Sequence, residues 1–402
     1  MQSSVLAALT PFARLDRPWT ALDLQTALAQ VPDPRRRQGR RFSLRAILTL
    51  SLAALLADQH SEQAIAEWGA DLAPDLKRAL GFPKAITPHH TTLQRLLRRL
   101  DPVALTAALQ RVFDPPAPVA PARGADGVSL DGKAQRGRLA FTSPGGVPVH
   151  ALTAFSHRER TVLAQLPITR HADKAEAELS VAPALLACLD WRGRVLTGDA
   201  LLCQRALCQQ VLAAGGDYLL LVKENQPTLY QAIEWLFDPP AEWGPALPLR
   251  DRRLVERTEK GHGRLETRQL AASTDVTDYL DWPGLAQVVR ITRTWTARGV
   301  TKHQRHYGIT SLPPQIGTAE RLLALKRGHW QIENGLHYVL DETLGEDRST
   351  VHLDAGPSVL ACLRGTVVSL LHRAGIAQIA KQLRYHSRHP AAVLPLLDCS
   401  PA

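Results

Sequence analysis

No apolar run in this sequence is long enough to cross a bilayer. The longest candidate, Ile47 to Ala57, falls well short of the ~20 residues a membrane helix needs. The first residues lack a basic signal-peptide start, so residence in the cytoplasm, with no membrane association, is the expectation. Five cysteines, Cys188, Cys203, Cys208, Cys362 and Cys399, form neither CxxC pairs nor an even disulfide framework, which fits a reducing compartment. A GxGxxG fingerprint is missing, which argues against a dinucleotide-binding fold. What is present is positive charge: 48 Lys plus Arg against 38 Asp plus Glu leave a formal +10, favouring a polyanionic partner without specifying which. The 402 residues suffice for two or three folding units.

Hydrophobic periodicity changes along the chain. Residues 1–118 read as a helical amino-terminal region, with helices near 43–57, 61–70 and 91–99, closed by the linker-like PPAPVAPARGA. Residues 119–243 alternate short strands (127–131, 147–156, 162–168, 194–198, 218–222) with helices near 173–189, 201–214 and 227–237, the rhythm of a mixed α/β sheet. Residues 244–318 are strand-rich, including 254–259, 264–272, 286–294 and 302–310, and are expected to form a β-rich insertion. A helix over 319–341 follows, with Leu322, Leu325, Ile332, Leu336, Val339 and Leu340 as its inward stripe. It belongs to a helical segment 319–375, and 376–402 form a tail.

Three separated acids stand out. Asp131 follows Val128-Ser129-Leu130 and Asp199 follows Val195-Leu196-Thr197-Gly198, as carboxylates delivered at strand ends, while Glu333 lies in the helical pattern. Each has an ordinary alternative: a turn cap, a helix cap and a solvated helix face. His329, Glu333 and His337 share a helical face, yet HWQIENGLH lacks the HExxH spacing of common zinc hydrolases. Glu333 on magnesium is the simpler assignment, with the histidines orienting phosphate or bonding structurally.

The ordered words DGKAQRG (131–137), GDALLCQ (198–204), GGDYLLLVKENQP (215–227), HGRLETR (262–268) and HWQIENGLHYVLDETLGED (329–347) resemble the ISAs1-type, or H-repeat-associated, bacterial DDE transposases. DPRRR near residue 35 and TTLQRLLRRLD at 91–101 extend the likeness over nearly the whole chain. Two departures stand beside it. The YREK spacing of broader IS4-like transposases falls here on Lys326, His329 and Leu340, and Glu224 replaces a glycine of the KGNQ-like wording.

The resemblance implies an RNase H-like mixed-sheet core in which Asp131, Asp199 and Glu333 hold Mg²⁺, with Mn²⁺ as a second candidate. It further implies metal-dependent cleavage at element ends and strand transfer by the released 3′-hydroxyl. The implied partners are double-stranded DNA, both terminal inverted repeats and target, and further copies of the chain in a nucleoid-associated complex. Asp341, Glu342, Glu346 and Asp347 compete with Glu333 as ligands. Arg35, Arg36, Arg37, Lys133, Lys223, Arg264 and Arg268 are the expected DNA contacts, each with a solvated-surface reading beside it. Trp330 reads as packing beside Ile332 in preference to stacking on DNA. A domesticated or inactive DNA-binding protein keeping the transposase fold is the competing function.

Overall fold

The computed structural model describes residues 23–115, 121–135, 150–168, 174–243, 249–261, 264–297 and 299–399. Along the chain run α1 (Leu24–Ala29), α2 (Leu44–Leu56), α3 (Glu62–Asp71), α4 (Pro74–Ala79), α5 (His90–Leu97) and α6 (Pro102–Phe113). Then come β1 (Asp126–Ala134), β2 (His150–Ser156), β3 (Val162–Ile168), α7 (Lys174–Ala187), β4 (Arg194–Gly198), α8 (Arg205–Ala213), β5 (Asp217–Val222) and α9 (Pro227–Phe237). β6 (Arg253–Gly261), β7 (Arg264–Ser273), β8 (Gln287–Ala297) and β9 (Val300–Thr310) precede α10 (Ala319–His329), α11 (Gly356–Arg373) and α12 (Ile379–Arg388). Helix starts follow local chemistry: the side chains of Ser43, Ser61 and Thr318 accept the N–H groups of Ala46, Ala64 and Arg321, and prolines open α4, α6 and α9.

Contacts divide the chain into two compact units. The first comprises residues 1–117, 132–189 and 331–402, the second 118–131 and 190–330. In the first, α2 is buried at every position except Arg45, the pattern of a helix surrounded by its neighbours. Ile47, Leu48, Leu50, Leu52, Leu55 and Leu56 are all fully buried, as expected of core residues, and each contributes roughly 2 kcal/mol by leaving water. The same core takes in Leu93 and Leu97 of α5, Leu363 and Val367 of α11 and Leu383 of α12. The antiparallel pair β2–β3 belongs to this unit, with Val162 N–H donating to Ser369 of α11.

The second unit is built on a mixed sheet in the order β1-β4-β5-β9-β8-β7-β6. β1, β4 and β5 run parallel, β9 joins β5 antiparallel, and the remaining strands continue antiparallel. Thr310, Ile309, Gly308 and Tyr307 pair with Leu219 to Val222, so the strands expected as an insertion extend the core sheet directly. β5 is buried along its length, its apolar run over 218–222 preceded by Asp217, which is paired with Arg123. Among the described residues no helix is long and apolar enough to cross a membrane, and all five cysteine thiols are unpaired.

Candidate active site

β1 and β4 set the positions of the two aspartates. Their parallel register pairs Val128 with Leu196 and Ser129 with Thr197, so Asp131 and Asp199 each come two residues after the last registered pair. Asp199 is exposed and one of its oxygens accepts the Leu201 N–H at 2.9 Å, while Asp131 is half-buried. The motif glycines beside them answer to packing. A Cβ on Gly132 would occupy the space of the buried Glu178 carboxylate, and one on Gly198 would stand 2.8 Å from Leu202 Cδ1.

Beneath the strand ends lies His329, 6% exposed. Its ring Nδ1 is 3.3 Å from the Thr197 hydroxyl, and its carbonyl accepts from Ser129 at 3.2 Å. His329 therefore fastens α10 to both strands, through its ring to β4 and through its carbonyl to β1, and its buried imidazole is not presented to a phosphate. Trp330, expected to pack, is instead 44% exposed, its ring approached by Arg293 at 5.9 Å and Lys326 at 6.0 Å.

An open cleft of about 720 Å³ adjoins Asp199, lined among others by Lys223, Tyr230, Arg305 and His306. Burial, with Lys326, Lys223 and Arg293 nearby, pushes the His306 imidazole below its ordinary range and favours its neutral form. Asn225 and Gln226 of the KENQP word reach back to the carbonyls of Ala200 and Cys203, at 2.7 and 3.0 Å, and so brace the turn that carries Asp199. Sequence reading missed these two amides as well as Arg305 and His306. The amides stand beside the selected Lys223, but β9 offers no word that separates its cations from an ordinary exposed strand.

Glu333 lies in the other unit. The single helix expected over 319–341 ends at His329, and Ile332–His337 and Val339–Thr343 are wound as π-helix. Tyr338 and Leu344 donate to carbonyls five residues back, and the Gly335 carbonyl accepts from His372 at 3.1 Å. Gly328 and Gly335 lower the helical preference, and the wider turns keep Ile332, Leu336 and Leu340 buried with Glu333 exposed. Among the described residues no three His, Cys, Asp or Glu side chains form a metal-holding group.

Several cations have other employment. Lys133, expected on DNA, is buried and paired with Asp341 at 2.6 Å and Glu346 at 2.7 Å, which also occupies two of the acids competing with Glu333. Arg35 is buried against Asp33 and donates to the carbonyls of Phe42 and Gly39, because its guanidinium closes the loop before α2. Arg268 is shared between Glu259 on the neighbouring strand β6 and Glu266 on its own strand β7. Arg36, Arg37 and Lys223 are exposed, while the Arg264 side chain, His262 and Gly263 lie outside the described residues.

The sequence family described as "Transposase DDE domain" matches residues 133–365, and a DDE_Tnp_1-associated region matches 25–112. An uncharacterized protein encoded in the dhlA 3′ region of Xanthobacter autotrophicus is 32% identical over 70% of this chain and 92% of its own length. The H repeat-associated putative transposase YhhI of Escherichia coli is 26% identical over 92% of this chain and 97% of its own. A piggyBac transposase synaptic complex with hairpin DNA, solved by cryo-EM, aligns at TM-score 0.40 and 10% identity over 98% of this chain and 81% of that one, a likeness that adds nothing to the assignment. The matched domain spans more than half of the sequence, and the chain belongs to the DDE transposases, in the ISAs1-type, H-repeat-associated branch.

Proposed function

We propose that this chain cuts DNA at the ends of its element and joins the released 3′-hydroxyl to target DNA, with Asp131, Asp199 and Glu333 as the catalytic carboxylates. The observation that carries the reading is the parallel register of β1 and β4, which sets both acids two residues beyond the last registered pair, Asp199 directly after β4 as expected and Asp131 inside β1, which runs on to Ala134, within a chain of DDE transposase sequence. The donors are carboxylate oxygens without thiolate or imidazole, a set suited to Mg²⁺ or Mn²⁺. Such an ion, when bound, supplies Lewis-acid stabilisation of charge developing on phosphate. The protein's own task is to hold the carboxylates and to exclude misaligned phosphodiesters. In the first step water attacks the phosphorus and the bridging oxygen leaves; in the second, the 3′-hydroxyl attacks a target phosphodiester and one target oxygen leaves. Each step exchanges one P–O bond for another, so no nucleotide triphosphate is consumed.

The RNase H-like description of the core and the boundaries at 118, 243, 318 and 375 belong to the same proposal. So do the terminal inverted repeats, assembly of several copies on DNA and association with the nucleoid. Exposed Arg36, Arg37 and Lys223 are the cations best placed for phosphate. Purified protein incubated with element-end DNA and Mg²⁺ should yield cut ends and joined product, and EDTA should abolish both. Binding of the same DNA with no cleavage in either Mg²⁺ or Mn²⁺ would instead identify a domesticated DNA-binding protein.

A further inference from the structure

Lys133 follows Asp131 by two residues on β1, and its side chain is only 8% exposed. Its ammonium lies 2.6 Å from Asp341, 2.7 Å from Glu346 and 4.0 Å from Asp347. Burial opposes that charge, but Glu346 and Asp341 outweigh it and hold the lysine above its ordinary range. Glu346 is 2% exposed and also faces the fully buried Arg364 at 4.0 Å, whose Nη2 donates to the His60 carbonyl at 3.2 Å. Cations and acids gathered at this depth lose so much hydration that apolar residues of similar size would serve stability as well. What the cluster adds is register: an ion pair fixes one strand end against one turn, where apolar side chains tolerate sliding.

We propose that Lys133 is a positioning residue. By gripping Asp341 and Glu346 it fixes the end of β1, directly after Asp131, on the segment that follows Glu333, and it thereby sets the Asp131 carboxylate. This rests on the catalytic assignment of Asp131 and Glu333. It also separates Lys133 from the phosphate contacts, since its donors are already occupied by carboxylates.

The test compares full-length wild type with Lys133→Met, Lys133→Arg and Asp341→Asn. Four measurements are made: thermal unfolding, affinity for element-end DNA without metal across salt concentrations, cleavage against Mg²⁺ concentration, and hydrogen exchange of 126–134 and 339–348. Lys133→Met should bind DNA with unchanged affinity and salt slope. It should exchange faster in both segments, and it should need about 10–100-fold more Mg²⁺ for half-maximal cleavage, the scale of outer-sphere metal partners. Lys133→Arg should recover most of that shift. A lowered melting temperature with wild-type Mg²⁺ dependence would reduce Lys133 to a structural ion pair and overturn the proposal. A weaker affinity with a shallower salt slope would make it a phosphate contact and overturn the proposal equally. Where Lys133→Met does not fold, the half-buried Asp341→Asn decides, a wild-type Mg²⁺ requirement refuting the role. If wild type cleaves no DNA, or Asp131→Asn cleaves normally, the catalytic reading fails instead. In that case hydrogen exchange still tests the clamp: unchanged exchange in Lys133→Met sinks it.

Discussion

The hydroxyls of Ser129 and Thr197 stand 3.5 Å apart across the parallel strands β1 and β4, and both contact His329 of α10. One buried histidine thus ties the two strands together two residues before Asp131 and Asp199. Small polar residues in otherwise apolar strands are here the fastening of the site's base.

Asp131→Asn, Asp199→Asn and Glu333→Gln should each slow cleavage and joining by at least about a hundredfold, since removing a carboxylate forfeits several kcal/mol of metal-mediated charge stabilisation. DNA affinity should stay close to wild type. Gel-resolved cleavage beside a metal-free binding titration checks this, and full activity in all three variants would defeat the assignment. Activity retained by Glu333→Gln alone would move the third ligand to Glu342, which is exposed and outside the Lys133 ion pairs.

Arg35 should behave unlike its neighbours. Replacing the exposed Arg36 and Arg37 together by Ala should reduce the salt slope of DNA binding by about 2, roughly one unit per lost phosphate contact. Arg35→Ala should leave that slope intact while costing about 2 kcal/mol of stability, because Asp33 and two carbonyls lose a charged donor. Urea unfolding and salt titration of both variants separate the two effects.

His372 and His386 should make the protein acid-sensitive. Burial holds both imidazoles below their ordinary 6.5, with the Gly335 and Leu56 carbonyls only partly offsetting it. The unfolded chain therefore binds more protons than the folded one below about pH 6.5, so stability is full above that value and declines as pH falls. Melting temperature should drop between about pH 7.5 and about pH 5.5, and His386→Gln should flatten part of the decline. The half-buried carboxyl of Glu62, raised above its usual range by desolvation, acts in the opposite sense, so the comparison between variant and wild type carries the test.

Gly198→Ala should displace Leu202 or the strand end before Asp199, costing about 1–3 kcal/mol. Its cleavage rate should fall further than that of Gly261→Ala, where a Cβ meets nothing within 4 Å. Equal cleavage rates in the two variants would contradict a packing constraint at the GDA word.

Much of this protein was written locally. The apolar run of α2, the short apolar runs Val128-Ser129-Leu130 and Val195-Leu196-Thr197 ahead of Asp131 and Asp199, and the cap residues at 43, 61 and 318 each specify their element through nearest-neighbour chemistry, so the helical start and the mixed sheet could be read directly. The motif words carried the family for the same reason, each being a short run of fixed order. Charge was different. Arg35, Lys133 and Arg268 have the composition of phosphate ligands; Asp33 and Glu266 are local partners of Arg35 and Arg268, while only the folded chain brings Asp341 and Glu346 against Lys133 and Glu259 against Arg268. The π-winding after His329 and the seat of that histidine under Thr197 likewise depend on partners far along the chain. A sequence records which side chains carry charge. Which of those charges meets water, and which is spent on another residue, is set by the folded backbone, which pairs Arg35 with Asp33 two residues away and Lys133 with Asp341 across 208 positions, desolvation and pairing being decided together.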